Sequence, residues 1–378
     1  MKIAIVSSVC NTNSGARAPI DLAIALSKTH QVSFFASEQN KNISTYKLMK
    51  HNRIEIFLIK PSKIPIIGLF NEMWQLTQLL KNNRPDIICF HGRIHLFFAT
   101  KITFIPVVLG YHGTQFDVVF ERYLKRNIFL SVINFMANLI IYIVTWINVK
   151  LADEVVAISK YAANEIQHLY GRKCYFVYNG CSPLHFSKKI KLTKKKSKII
   201  NILSVSRITP YKQFEKIIYA INNLSNKFTN IQLIISGSSP QPKYLEFLKF
   251  MHTKRMKIVI EPTDNQLINL YKQCDVYITA DRYLFFGMPV LEAATFKKPS
   301  LAYNYAAAKE VVIHGKTGYI AKTDREFIEY LQKLIRSEKT RQKMGISAYQ
   351  YSLNFSWDQQ AAKWINIFKM VLKKYQYA

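Results

Sequence analysis

Hydrophobic positions in this chain fall into short unbroken runs, separated by longer stretches in which apolar residues recur every three to four positions. Ile3–Val6, Val32–Ala36, Ile54–Ile59, Ile87–Phe90, Val107–Leu109, Val155–Ile158 and Tyr175–Tyr178 are the unbroken runs of the first half. The same rhythm restarts with Ile199–Val205, Ile231–Ile235, Ile258–Ile260, Val276–Thr279, Leu301–Tyr303 and Tyr319–Ala321. A run without polar alternation is buried on both faces, so these segments read as parallel strands sandwiched between helices. The pattern predicts an α/β protein of two Rossmann-like, doubly wound domains facing a cleft, with ligands bound beyond the carboxyl ends of the strands. The expected boundaries are a first domain over 1–186, a Lys-rich linker over 187–199 and a second domain over 200–357.

One segment breaks the rhythm. Asn127 to Val149 carries no charge over 23 residues and is flanked by Lys125-Arg126 and Lys150. At ~1.5 Å per residue a helix of that length could cross a ~30 Å hydrocarbon core. Asn127, Ser131, Asn134, Asn138 and Thr145, however, recur at helical spacing and trace a polar stripe, so the first expectation is an amphipathic helix packed in the domain. Partial embedding in a membrane surface is the second, and a true span the third.

Composition sharpens the picture. With 378 residues, 49% of them hydrophobic, the chain can bury large cores. Its 12 glycines are few, about 3% against a usual ~7%, so each is expected where another residue would be strained. Gly15, Gly113, Gly180, Gly237 and Gly287 follow apolar runs, where a parallel sheet turns toward its ligand edge. The five cysteines are odd in number, scattered and without paired metal-ligand spacing, which argues for a reducing cytoplasm and against disulfides or zinc. Met1–Val6 is too short for a signal peptide and reads as a first strand.

The net charge of +30, from 53 Lys and Arg against 23 Asp and Glu, implies polyanionic partners: phosphorylated substrates, anionic lipid or nucleic acid. No acidic residue occurs between Arg172 and Lys212, and seven lysines crowd Ser187–Lys198. These lysines lack interleaved aromatics, and no helix-turn-helix or zinc-finger spacing accompanies them, so nucleic acid is not expected as a partner. Lys41, Lys47, Lys50, Arg53, Lys60 and Lys63 form a second basic group, a candidate for peripheral contact with an anionic membrane.

Candidate chemistry concentrates in Phe285-Phe286-Gly287-Met288-Pro289-Val290-Leu291-Glu292-Ala293, which reads as a strand end, a tight turn and a helix start. Gly287 permits the turn, and Pro289 suits the first helical position. The backbone amides from Phe286 to Val290 can then face an anion or sugar hydroxyls. Glu292 follows one turn in. Arg207 and Lys212, five residues apart after a strand, offer a planar fork and a mobile point charge for a departing diphosphate. His112, just past a strand end and beside Gly113, reads equally as a packed core histidine and as a catalytic one. No Asp-x-Asp metal motif is present, so the basic residues are expected to stand in for a divalent cation, with no metal and no cofactor besides the donor substrate.

Taken in order along nearly the whole chain, these motifs resemble the retaining glycosyltransferases of family 4, which have the GT-B fold. Ser14-Gly15 with the Asp21–Leu26 helix resembles the family's glycine-rich first loop, Tyr111-His112-Gly113-Thr114 its His-Gly motif and Tyr178-Asn179-Gly180 its Asn-Gly turn. Ser206-Arg207 with Lys212 resembles its diphosphate-binding Arg and Lys. Phe286–Ala293 resembles the second half of its signature of two glutamates separated by seven residues. Eight positions before Glu292, where the family has its first glutamate, stands Leu284. The resemblance implies a metal-independent, hexosyltransferase-like enzyme that moves a sugar from a nucleoside-diphosphate sugar to a glycan or lipid-linked acceptor held by the first domain. It implies catalytic roles for His112, Arg207 and Lys212. Gly15, Gly287, Met288, Pro289 and Glu292 would bind the donor, Glu292 through the ribose. Asp281 or the Phe286–Met288 amides would take over the contacts that Leu284 cannot make. It implies too that a final helix, about 358–378, packs back on the first domain. A catalytically silent nucleotide-sugar or glycan-binding protein is the alternative that Leu284 motivates.

Overall fold

The computed structural model describes residues 1–10, 17–38, 43–61, 65–113, 128–181, 199–251 and 255–376, less the side chains at 9, 65, 66, 128–131, 133 and 134. Gly15, Lys41, Lys63, Thr114, Asn127 and most of the expected linker lie outside these residues. The chain divides into two compact units, Met1–Gly180 with Trp357–Ala378, and Cys181–Ser356.

The first unit is built on seven parallel strands: β1 (Lys2–Val9), β2 (Gln31–Ser37), β3 (Glu55–Ile59), β4 (Ile87–His91), β5 (Val107–Tyr111), β6 (Glu154–Ala157) and β7 (Tyr175–Phe176). Their order is β3-β2-β1-β4-β5-β6-β7. Every apolar run read from this half contains a strand, and Ile5, Phe34, Ile88 and Val108 are fully buried because their strands are shielded on both faces. The edge strand β7 departs from this, with Tyr175 and Phe176 both exposed. Right-handed crossovers place the helices Arg17–Ser27 and Ile43–His51 on one face of the sheet. They place Pro65–Asn83, Leu96–Lys101, Ile128–Leu151 and Lys160–Tyr170 on the other. The last helix, Trp357–Gln376, packs on Arg17–Ser27, with Lys28 Nζ 2.5 Å from Asp358 Oδ1 at the helix start.

The second unit repeats the plan with six parallel strands: β8 (Ile200–Val205), β9 (Ile231–Gly237), β10 (Met256–Ile260), β11 (Val276–Thr279), β12 (Ser300–Tyr303) and β13 (Gly318–Ala321). Their order is β10-β9-β8-β11-β12-β13. Ile202, Leu233, Ile235, Ile278 and Leu301 from the sheet meet Phe214, Ile217, Phe327 and Leu331 from the covering helices in one core. In both sheets the strand order reverses direction once, between β1 and β4 and between β8 and β11. Helices on either side of such a reversal leave toward opposite faces, so a crevice opens at the strand ends.

The uncharged segment is a continuous helix over Ile128–Leu151. Two of its polar side chains turn inward: Asn138 and Asn148 are buried, and Asn148 Nδ2 donates to the Ile94 carbonyl (3.0 Å). Among the described residues no helix is long and apolar enough to cross a membrane. A span surrounded by lipid would not hold those asparagines against a protein surface on one side.

Candidate active site

In the second unit the chain leaves β8 through Ser206–Thr209 and enters a short 3-10 turn, Pro210–Lys212. Gln213, in the left-handed region (φ 52°), redirects it into the helix Phe214–Ser225. Arg207 is exposed and makes no hydrogen bond or ion pair with any described residue. Lys212 is largely buried, with Nζ 5.0 Å from the centroid of the Tyr211 ring and bonded to Asp281 Oδ2. The Arg282 N–H donates to the Tyr211 carbonyl (3.2 Å), so the turn after β8 and the loop after β11 are tied together at two points. They meet at the strand reversal, where the fold opens its crevice.

Three buried side-chain oxygens border this turn without a hydrogen-bond partner: Thr209 Oγ1, Gln213 Oε1 and Ser239 Oγ. Ser239 adjoins because the Ser238 carbonyl accepts from Ile208 N–H (2.8 Å). Unmet buried polar atoms are uncommon in folded proteins, and of the nine among the described residues three lie beside this one loop. Sequence reasoning missed all three, since hydroxyl and amide side chains in loops carry no distinguishing pattern.

The loop after β11 carries Asp281 and Leu284. Asp281 is buried and both its oxygens are engaged, Oδ2 by Lys212 and Oδ1 by the Tyr283 N–H (3.0 Å). Its carboxylate is thus held between the neighbouring cation and its own turn, since a buried carboxylate with a lysine in reach pairs with it. Leu284 is buried, its carbonyl accepting from Ala307 N–H (3.0 Å) and its side chain lying against Gly287. The position where the family has a glutamate is here part of the core.

Gly287 has φ 97° and caps the helix Met288–Thr295. A Cβ there would be strained by φ alone and would crowd Val311 Cγ2 (3.2 Å) and the Leu284 side chain (3.3 Å). Met288 is the first helical residue and Pro289 the second, one later than expected. The Val290 N–H already bonds the Gly287 carbonyl (3.0 Å). The open amides are therefore those of Gly287 and Met288, fewer than the expected Phe286–Val290 run. Glu292 is buried one turn in, and Oε2 accepts from the Tyr271 hydroxyl (2.7 Å). Burial, and after it the Glu292 charge, holds the Tyr271 phenol well above its ordinary pKa, so it stays a donor to Glu292. Tyr271 comes from the helix Asp264–Gln273, and no local motif announced it.

In the first unit, His112 follows β5 and is half-buried. Its Nε2 lies 2.8 Å from Nδ1 of His91, at the end of β4. His91 Nε2 lies 3.2 Å from the buried Cys89 Sγ, and its ring meets Trp364 of the last helix edge-on at 5.6 Å. The His91 ring fills the space over Gly110, where a Cβ would come within 2.0 Å of it. Burial lowers His112 to about 4; burial, then His112, lowers His91 well below the ordinary histidine value. Both rings are neutral near pH 7, able to exchange hydrogen bonds but not to supply a positive charge. His91 was overlooked, although His91-Gly92 at the end of β4 repeats His112-Gly113 just past the neighbouring strand β5.

Of the second basic group, Lys47, Lys50 and Lys60 are exposed, and Lys50 Nζ lies 5.1 Å from the Tyr46 ring centroid. Lys47 and Lys50 belong to the helix Ile43–His51, on the opposite face of the sheet from Ile128–Leu151.

Two doubly wound units of this strand order, with a cation-lined turn at the reversal of the second, define a GT-B-type architecture. The family model for glycosyltransferase family 4 matches residues 16–183, and that for glycosyl transferases group 1 matches 186–351. The chain belongs to this glycosyltransferase family. Similar sequences include the amylovoran biosynthesis glycosyltransferase AmsD of Erwinia amylovora, 22% identical over 57% of this chain and 62% of that protein's length. An uncharacterized glycosyltransferase of Haemophilus influenzae is 22% identical over 93% of this chain and 95% of its own. Among solved structures, a glycosyltransferase from Rickettsia africae has a TM-score of 0.74 at 19% identity, covering 98% of both chains. Anabaena Alr3699/HepE, solved in complex with UDP and glucose, has a TM-score of 0.73 at 18% identity over 97% of this chain and 99% of that one.

Proposed function

We propose that this glycosyltransferase moves a hexosyl residue, with retention of configuration and without a metal ion, from a nucleoside-diphosphate sugar to a glycan or lipid-linked acceptor. The carrying observation is the Lys212–Asp281 bond at the β8–β11 reversal, beside unpaired Arg207 and the orphan Thr209, Gln213 and Ser239 oxygens. As the bond from the anomeric carbon to the diphosphate oxygen breaks, the electron pair goes to the diphosphate, while the acceptor hydroxyl oxygen bonds that carbon from the same face and its proton passes to the departing diphosphate. Arg207, Lys212 and the Gly287 and Met288 amides meet that charge with donors already in place. Glu292, oriented by Tyr271, accepts from the ribose hydroxyls. Neutral His112 bonds the transferred sugar, and the first unit binds the acceptor. The UDP complex of the Anabaena protein and the polysaccharide role in the name of the Erwinia relative support a nucleotide-sugar donor and a place in polysaccharide assembly. In this reading the enzyme works on the cytoplasmic side, in peripheral contact with an anionic membrane.

Thermal unfolding against a panel of nucleoside diphosphates and their sugars tests the donor reading; a ligand at 100 times its Kd raises stability by about 2.7 kcal/mol. Transfer is then followed with the stabilising donor and a set of glycan and lipid-linked acceptors. The core position of Leu284 favours one second reading, a silent nucleotide-sugar-binding protein. Nucleotide binding with neither hydrolysis nor transfer across the full panel selects it.

A further inference from the structure

The helix Ile128–Leu151 is amphipathic in the reverse sense for a surface helix. Its inward side carries Asn138 and Asn148, both buried, and Tyr142, whose hydroxyl donates to the Leu169 carbonyl (2.8 Å) while its ring stacks on Tyr170 at 5.5 Å. Its outward side carries Val132, Met136, Leu139, Ile140, Ile143 and Trp146, each between 36% and 59% exposed. Val132, Met136, Ile140, Ile143 and Trp146 recur at steps of three and four, with Leu139 alongside three after Met136, so the six form one stripe along more than three turns. An ordinary amphipathic helix buries that stripe against its own core. A contiguous apolar stripe left outward marks a surface with a partner.

The same layer supplies a second stripe. The helix Pro65–Asn83 lies on the same face of the sheet and exposes Ile67, Phe70 and Trp74 at steps of three and four. The two helices are bridged through the β4–β5 connection: Pro65–Asn83 packs on Leu96–Lys101, and Asn148 bonds Ile94 just before it.

Charge selects the partner. The helix Ile128–Leu151 contains no acidic residue, ends on exposed Lys150 and is preceded in sequence by Lys125-Arg126. Two copies of a chain with a net charge of +30 repel each other, whereas an anionic bilayer attracts it. Apolar side chains with a tryptophan near one end, bounded by cations and backed by protein, suit the boundary between headgroups and acyl chains. We propose that this face of the first unit docks on an anionic lipid bilayer, with the outward stripe of Ile128–Leu151 inserted into the interface. The docking deepens the membrane-side reading above and rests on it only for the acceptor. It also assigns contact to this helix layer rather than to the Lys47 and Lys50 patch on the opposite face.

The test is flotation of the full chain with vesicles of phosphatidylcholine containing phosphatidylglycerol, and of phosphatidylcholine alone, at low and high salt. The expected result is binding to the anionic vesicles that largely survives high salt, because apolar insertion is not screened. Replacing Ile140, Ile143 and Trp146 together by Ser removes exposed side chains only, so the variant should fold. It should lose binding by roughly tenfold or more. Brominated lipid should quench tryptophan fluorescence in a Trp74→Phe background, which leaves Trp146 on the docking face, an effect lost when Trp146→Phe is added and independent of whether the triple variant folds. Complete release by high salt, unchanged binding of a folded triple variant, absence of quenching, or a dimer abolished by the triple substitution without vesicle binding would each overturn the proposal. Stabilisation by UDP, measured on the same samples, separates the two readings. If it is absent while vesicle binding holds, the donor reading fails and the docking stands; if it is present without vesicle binding, the reverse holds.

Discussion

Lys212 and Asp281, 69 residues apart in sequence, share a hydrogen-bonded ion pair with side chains only 15% and 5% exposed. The pair clamps the turn after β8 to the loop after β11. It holds the lysine's charge at the strand reversal.

Lys212→Ala should lower kcat/KM roughly 10- to 100-fold, since a charge-assisted hydrogen bond is worth ~1.5–3 kcal/mol. It should also lower stability, because Asp281 loses its partner. Asp281→Asn should reduce stability by a comparable amount, roughly 1–3 kcal/mol, and the double variant should lose less than the sum. Denaturant titration of the three variants checks this. Additive losses would show that the two side chains act separately.

Leu284→Glu places a carboxylate in a site where the native side chain is 6% exposed, against Gly287. Loss of roughly 3 kcal/mol or more is expected, with no gain in transfer rate. Thermal unfolding and a donor-hydrolysis assay read both. A stable, faster variant would show that the loop re-forms around the family's glutamate.

Tyr271→Phe removes the hydroxyl that holds Glu292 without emptying the core around it. The buried carboxylate then loses the Tyr271 donor, so the variant should lose ~1–3 kcal/mol of stability and bind the nucleoside part of the donor more weakly. Isothermal titration with nucleoside diphosphates measures the second effect. If Glu292 serves only the fold, stability falls and affinity stays.

Acid should weaken the first unit through its histidine pair. His112 titrates near 6.5 when unfolded and about 4 when folded, and His91 is lowered as well, so the unfolded chain binds more protons between these values. The stability due to the neutral rings is therefore full above about pH 6.5 and is lost as pH falls toward about 4. His91→Gln should flatten the slope of stability against pH in that window. An unchanged slope would remove the pair as its cause.

Much of the architecture was legible in the chain itself. Unbroken apolar runs such as Ile87–Phe90 and Val276–Thr279 can be satisfied only in a doubly covered sheet, and scarce glycines such as Gly287 fall where the backbone needs positive φ. Both signals are local, a matter of neighbouring residues and their dihedrals. The polar stripe of Ile128–Leu151 was equally plain, and it was assigned to a packed helix. Periodicity reveals that a helix has two unlike faces, whereas the surrounding elements decide which face turns outward. Only the tertiary structure could place Asn138 and Asn148 inward and Ile140 outward, pair Lys212 with Asp281 and Tyr271 with Glu292, set His91 against His112, and put Leu284 in the core. Each of these depends on segments brought together by the sheet, and side-chain partnership across such distances leaves no periodic trace in a single sequence.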